Sequence, residues 1–132
     1  MSQLNVRVYY EDTNSGGVTY YANCLKFIER GRSEFLRELG SEQDQLMHYQ
    51  AIIFAVESLS SEYLLPAKFN DLLTIHTEIE KLRRASLIFS QKIVVLKQNK
   101  ILFKAQIIVT CLNAISFKPC AIPSATLEKI NG

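Results

Sequence analysis

The chain has no run of the roughly 18 apolar residues that a bilayer-spanning helix requires. Its first ten residues do not lead from a basic start into an apolar stretch, so no secretory leader is expected. Cysteine is scarce. Cys24, Cys111 and Cys120 are odd in number, widely spaced and without a C-x-x-C pair. A disulfide framework or a zinc site is therefore not expected, and reduced thiols used as packing residues in a cytoplasmic protein are. A strong charge of one sign is also missing. The formal net charge is +2, the pI is about 8.4, and Lys81, Arg83 and Arg84 form the only tight basic cluster. That balance gives no footing for a nucleic-acid partner. No G-x-S-x-G elbow, P-loop or dinucleotide-binding glycine pattern occurs, which argues against serine hydrolases and nucleotide-dependent enzymes. His48 and His76 lie far apart in sequence, and His76 alternates with Thr74, Glu78 and Glu80 on what reads as a surface strand face.

What is present suits one globular domain, 1–132. The chain has 132 residues, of which 48% are hydrophobic and 21% charged. Asn5 to Glu11 alternates like a short strand, and Thr13-Asn14-Ser15-Gly16-Gly17 breaks it with a tight loop. From Tyr21 to Leu39 the apolar period becomes helical, through Cys24, Leu25, Ile28, Phe35, Leu36 and Leu39. Arg30 and Glu34 are spaced to pair, and Gly40 suits the stop. Gly31, within this helix, costs on the order of 1 kcal/mol against Ala, which close approach to a sheet would offset. Ser41 to Tyr49 reads as a second short helix capped by Ser41. The period then becomes two, and Ile52 to Leu64, Leu72 to Leu82, Ser86 to Leu96 and Ile101 to Asn113 read as long strands. A terminal turn of helix from Ser124 to Ile130, capped by Ser124, follows two prolines.

The order strand, long helix, four long strands implies an α+β fold with a mostly antiparallel sheet. One helix covers only one face of five strands, so the other face is expected to pack on a partner. A homo-oligomer, either a dimer or a dimer of dimers, is the simplest form.

The informative segment runs from Val6 to Arg32 and reads V-R-V-Y-Y-E-D-T-N-S-G-G-V-T-Y-Y-A-N-C-L-K-F-I-E-R-G-R. It resembles the 4-hydroxybenzoyl-CoA thioesterase superfamily, and within it the Tol–Pal-associated acyl-CoA thioesterases of the YbgC type. Their pattern here is D-x-D-x-x-G-x-V-(Y/W)-(H/Y)-x-x-Y, followed by a helix with E-R-x-R. Tyr63 to Ala67 is similar to the family's Y-x-x-P-A turn, and Asp71, Leu82-Arg83, Ser86-Leu87 and Lys118-Pro119 continue the likeness along nearly the whole chain. The resemblance implies a hotdog fold, a curved five-stranded antiparallel sheet wrapped around one long helix. Its subunits pair to form shared active sites, and the pairs usually assemble into tetramers. It also implies hydrolysis of an acyl-CoA thioester of short or medium chain to free acid and CoA, with no metal and no cofactor. An acyl carrier protein or a membrane-associated protein is a further partner that the family context allows.

By the same resemblance, an Asp in the glycine loop attacks the thioester or activates water. The backbone amide of Tyr21 at the helix start stabilises the oxyanion, Gly17 permits close approach of chain and substrate, and Arg83 and Lys118 contact CoA phosphates. The sequence departs from the pattern at the decisive position, where Asn14 stands for the catalytic Asp. Three explanations compete: an engineered Asp→Asn change, a natural chain with reduced or relocated activity, or service by Asp12, which is otherwise read as ordering the loop. Tyr21 occupies a position that is often His in close relatives, and Cys24 replaces the last Tyr of the pattern. Glu29, Arg30 and Arg32 read as a structural polar face. A catalytically silent acyl-CoA-binding or interaction module is the alternative function. A hotdog dehydratase is disfavoured because it needs a His in the loop or at the helix start.

Overall fold

A computed structural model describes residues 2–19, 21–39 and 51–131. It contains β1 (Ser2–Arg7), a 3-10 turn (Tyr10–Asp12), α1 (Tyr21–Glu38), β2 (Ile52–Tyr63), β3 (Leu72–Leu82), β4 (Ser86–Val95), β5 (Lys100–Asn113) and α2 (Ser124–Asn131). The short helix expected at Ser41–Tyr49 and the stop at Gly40 lie outside the described residues. The strands form one antiparallel sheet in the order β1-β3-β4-β5-β2. Register shifts at Val56/Ser58, Ile79/Lys81 and Ile93/Val94 bend it. With α1 over β1, β3 and β4, this is the hotdog arrangement. Among the described residues, no helix is long and apolar enough to cross a membrane.

The core lies between α1 and the sheet. Phe27, Ile28, Phe35 and Leu36 meet Leu73, Ile75, Phe89, Ile93, Phe103 and Ile107. The expected helical stripe was off by one member. Leu25 is 38% exposed, whereas Phe27 is 1% exposed. Phe27 shares the face of Cys24, Ile28 and Gly31 at three- and four-residue steps, and Leu25 is turned about 100° from Cys24. Glu34 pairs with Arg37 rather than with Arg30, whose guanidinium instead lies 5.8 Å from the Phe27 ring centre.

β1 ends earlier than the alternation predicts. Val8 still pairs with the Asn70–Asp71 backbone, but at Tyr9 the chain turns. The Asp12 carboxylate accepts the Tyr9 N–H at 2.9 Å and winds the next residues into the 3-10 turn. At the other end, Pro123 rather than Ser124 accepts the first hydrogen bond of α2, from Leu127 N–H at 3.0 Å. Ser124 is already helical.

Helix and sheet approach most closely at Gly31. A Cβ there would sit 2.7 Å from Ile75 Cγ2, 2.9 Å from Thr77 Oγ1 and 3.1 Å from Gln91 Nε2. The expected offset for a mid-helix glycine is therefore present. Under it, Gln91 donates to the Ile28 carbonyl (2.8 Å) and to Thr77 Oγ1 (2.9 Å), while its Oε1 accepts from buried Arg32 (2.9 Å). Burial lowers the Arg32 pKa, and the charge of Glu29 opposes that shift. The second Arg of E-R-x-R is thus a structural tie between helix and sheet.

Gly31→Ala tests this spacing. Helix propensity alone predicts a gain of about 1 kcal/mol. Overpacking against the backbone-anchored Ile75 and Thr77 predicts a net loss of about 2 kcal/mol in urea unfolding. A stabilised variant would show that the helix can move away without cost.

Candidate active site

The glycine loop is built by its own hydrogen bonds. Asn14 N–H donates to the Val18 carbonyl at 2.9 Å, and Gly17 N–H donates to the Asn14 carbonyl at 3.0 Å. Gly17 adopts φ +77°, a region that favours glycine, yet a Cβ there would meet nothing within 4 Å. Backbone conformation rather than crowding within this chain explains the glycine. The Tyr63–Ala67 turn, about fifty residues on in sequence, docks on the same segment. Thr19 N–H donates to the Ala67 carbonyl at 2.7 Å, and Val18 bridges Lys68.

Between these segments lies a cavity of about 340 Å³. Asn14, Thr19 and Cys24 line it, together with Tyr63, Leu65 and Pro66. Among the described lining residues there is no Asp, Glu or His. Asn14 Oδ1 is already committed, accepting the Gly16 N–H at 2.8 Å. A backbone N–H can bond only to the oxygen end of the amide, so the orientation is fixed by chemistry and the free end is the NH2 group. A carboxylate in the same pose would keep one oxygen on Gly16 and leave the other as a base. The change from Asp to Asn therefore replaces an acceptor with a donor at that point.

Asp12 does not fill the gap. One of its oxygens takes the Tyr9 N–H, and the other takes Asn23 Nδ2 at 2.9 Å. The carboxylate thus clamps the loop to the first turn of α1, as its reading as a loop-ordering group anticipated. Tyr21 opens α1, so its N–H has no acceptor within the helix.

Arg83 and Lys118 are placed elsewhere. The turn after Tyr63 is bound at Leu102, through Leu64 N–H (2.8 Å) and Leu65 N–H (3.2 Å). The Arg83–Ala85 junction is bound at the other end of β5, where Ala85 accepts from Cys111 and Arg84 from Ile122. Lys118 lies there too, its carbonyl accepting the Asn113 N–H. From Leu102 to Cys111 the strand spans about 30 Å at the usual rise. Asn14 and Gly17 are joined in one hydrogen-bonded loop and Tyr21 begins the helix that follows it, whereas Arg83 and Lys118 are gathered at the opposite end.

A larger hollow of about 470 Å³ lies on the sheet, lined by His76, Glu78, Lys92, Lys104 and Gln106 among others. Desolvation, aided by Lys92, lowers the His76 pKa from its ordinary value. This hollow contains none of the loop residues.

Thr19 was missed in the sequence. Its hydroxyl is buried and has no hydrogen-bond partner among the described residues. The signal was available, because Thr19 stands at the Val of the pattern.

A hotdog sheet, the first turn of α1 and the glycine loop meet around one cavity. Comparison with known proteins identifies the family. Residues 16–102 match the model of the thioesterase superfamily, and the chain belongs to that family. Over 89 residues it is 44% identical to the acyl-CoA thioesterase YbgC of Haemophilus influenzae, covering 67% of this chain and 65% of the relative. It is 47% identical over 89 residues to the acyl-CoA thioester hydrolase YbgC of Escherichia coli, covering 67% of this chain and 66% of the relative. The matched stretch is therefore just under two thirds of those relatives' length. A crystal structure of a probable thioesterase from Bartonella henselae superposes with a TM-score of 0.86 at 34% identity, covering 92% of this chain and 98% of that one.

Burial raises the Cys24 thiol from 9.0 to about 11. At pH 8 its thiolate is about a hundredfold scarcer than that of a thiol at the ordinary value. Alkylation by iodoacetamide, followed by peptide mass spectrometry, should be slowed at Cys24 by that factor and rise about tenfold per pH unit up to about pH 11. Rapid labelling at pH 8 would contradict the half-buried, neutral thiol.

Proposed function

We propose that the Asn14 cavity binds the thioester group of an acyl-CoA of short or medium chain, and that the scaffold is built to hydrolyse it to acid and CoA. The observation that carries this reading is the meeting of Asn14 from the glycine loop, Cys24 from the first turn of α1 and the Tyr63–Ala67 turn in one cavity of a thioesterase-superfamily chain. The relatives' names as acyl-CoA thioesterases support it.

The substrate carbonyl oxygen lies against the Tyr21 N–H, where the helix dipole favours developing negative charge. Water attacks the carbonyl carbon, the C–S bond breaks and CoA leaves as the thiol. A base must take the proton from the attacking water. A carboxylate at position 14 would do so through the oxygen not bound to Gly16; the Asn14 amide instead offers hydrogens. The chain as it stands holds the substrate with its base removed. The same observation favours the second reading, an acyl-CoA-binding module that does not turn over its ligand.

The distance from Asn14 to Arg83 and Lys118 supports a homo-oligomer. A second copy related by a two-fold axis brings its basic end to the first copy's cavity, where those side chains meet the CoA phosphates. β2 fits this role. It is an edge strand of the sheet, among the described residues α1 packs mainly on β1, β3 and β4, and Val56 (51%) and Leu59 (38%) stay exposed. Two such dimers then form the tetramer.

Thiol release from a panel of acyl-CoA esters should be about 10² to 10⁴-fold faster in Asn14→Asp than in the native chain. Equal rates would place the base elsewhere. Inertness of both, with binding retained, would favour the silent module.

A further inference from the structure

Three positions at which this chain departs from the family pattern, Asn14, Thr19 and Cys24, line the same cavity. Thr19 is the one whose polar atom has no use within the described structure. It is 9% exposed, and its Oγ1 finds no partner. Apolar or half-apolar neighbours, Val18, Leu64, Leu65, Pro66 and Ala67, line the rest of the cavity. A hydroxyl buried without a partner is costly, and the pattern's Val would fill nearly the same volume without that cost.

The thioester does not require this hydroxyl. Its carbonyl oxygen has two lone pairs, and the reading above supplies two donors, Tyr21 N–H and Asn14 Nδ2. The thioester sulfur is a weak acceptor. The shared chemistry of the family proceeds with Val at this place, so the hydroxyl is an addition to the cavity and not part of the reacting set.

We propose that Thr19 is a specificity-determining residue whose hydroxyl hydrogen-bonds an oxygen on the acyl group, so that the cavity selects hydroxy- or oxo-acyl-CoA over plain alkanoyl-CoA. This rests on the acyl-CoA reading of the cavity. The hydroxyl has almost no accessible surface in this state, and an acyl oxygen satisfies it once rotation about the Cα–Cβ bond turns it to the cavity wall. An alkyl chain offers no partner for that turn and leaves the hydroxyl buried and unpaired. Sites with a buried polar group of this kind discriminate strongly against ligands lacking its partner.

The test is titration calorimetry of the native chain with non-hydrolysable oxoalkyl thioethers of CoA, either plain or carrying a hydroxyl or oxo group on the second or third acyl carbon. At least one oxygenated analogue should bind about tenfold or more tightly than the plain one. Thr19→Val should abolish that preference and Thr19→Ser should retain it. Thr19→Val should also unfold at the same or a higher temperature without ligand, because it removes an unpaired hydroxyl. Equal binding of all analogues by the native chain, or a preference unchanged in Thr19→Val, overturns the assignment and leaves the acyl-CoA reading standing. A uniform loss for all analogues in Thr19→Val also overturns it, because the hydroxyl would then touch the thioester itself. If no analogue binds, the acyl-CoA reading fails and this proposal fails with it. A clear fall in the unfolding temperature of Thr19→Val would show that the hydroxyl is satisfied within the protein, which overturns the proposal independently.

Discussion

The close approach of α1 to the sheet at Gly31 is the constraint on which the rest depends. With no side chain at that point, the helix settles onto Ile75 and Thr77, and Gln91 reaches from the sheet to a helix carbonyl. That bond anchors a polar group in the core, and Arg32 completes it from the helix side. The three partners satisfy one another, which is the condition for tolerating polar groups between layers of Phe and Ile. Once the helix is seated, Asn23 in its first turn is placed against Asp12, at the entry to the glycine loop. The Asp12 carboxylate then links loop and helix through Asn23, so loop geometry and helix position are not independent. The cavity is a consequence of that seating.

Much of this was written plainly in the chain. A glycine inside an amphipathic helix is unfavourable unless something approaches, and the sheet does. Long alternating runs located four of the five strands to within a residue at every end. Asn-Ser-Gly-Gly marked the loop. The misses share a physical origin. Leu25 and Phe27 are equally apolar, and only the angular position of the face decides between them. Glu34 had basic residues on both sides, and periodicity does not rank them. β1 stopped short because a side-chain carboxylate, not the backbone, dictates the turn at Tyr9. The separation of Arg83 and Lys118 from Asn14 was invisible because linear order says nothing about which end of a strand a junction occupies. The unpaired Thr19 hydroxyl was invisible because pairing is a property of the folded neighbourhood.

The division of the candidate residues between two ends of the sheet changes what a subunit is. A long strand separates the reacting loop from the basic junction, and no side chain bridges about 30 Å. Under the proposed reading, a ligand with its acyl end in the cavity and its phosphates on Arg83 and Lys118 needs two copies of the chain, and assembly becomes a condition of binding. The exposed apolar side chains of β2 lie on the edge that pairing would cover.

Likeness of fold measures shape, and two of the three changed positions preserve shape. Asn is the isostere of Asp, and Thr is nearly that of Val. Both differences nearly conserve side-chain volume while altering the hydrogen-bonding character of the cavity wall: one acceptor becomes a donor, and one apolar surface becomes a hydroxyl. Cys in place of Tyr does the opposite, giving up volume and leaving a neutral thiol. Likeness of shape therefore does not carry the polarity of a few atoms: with its Oδ1 held by the Gly16 N–H, Asn14 presents an NH2 group where the family pattern has a carboxylate oxygen.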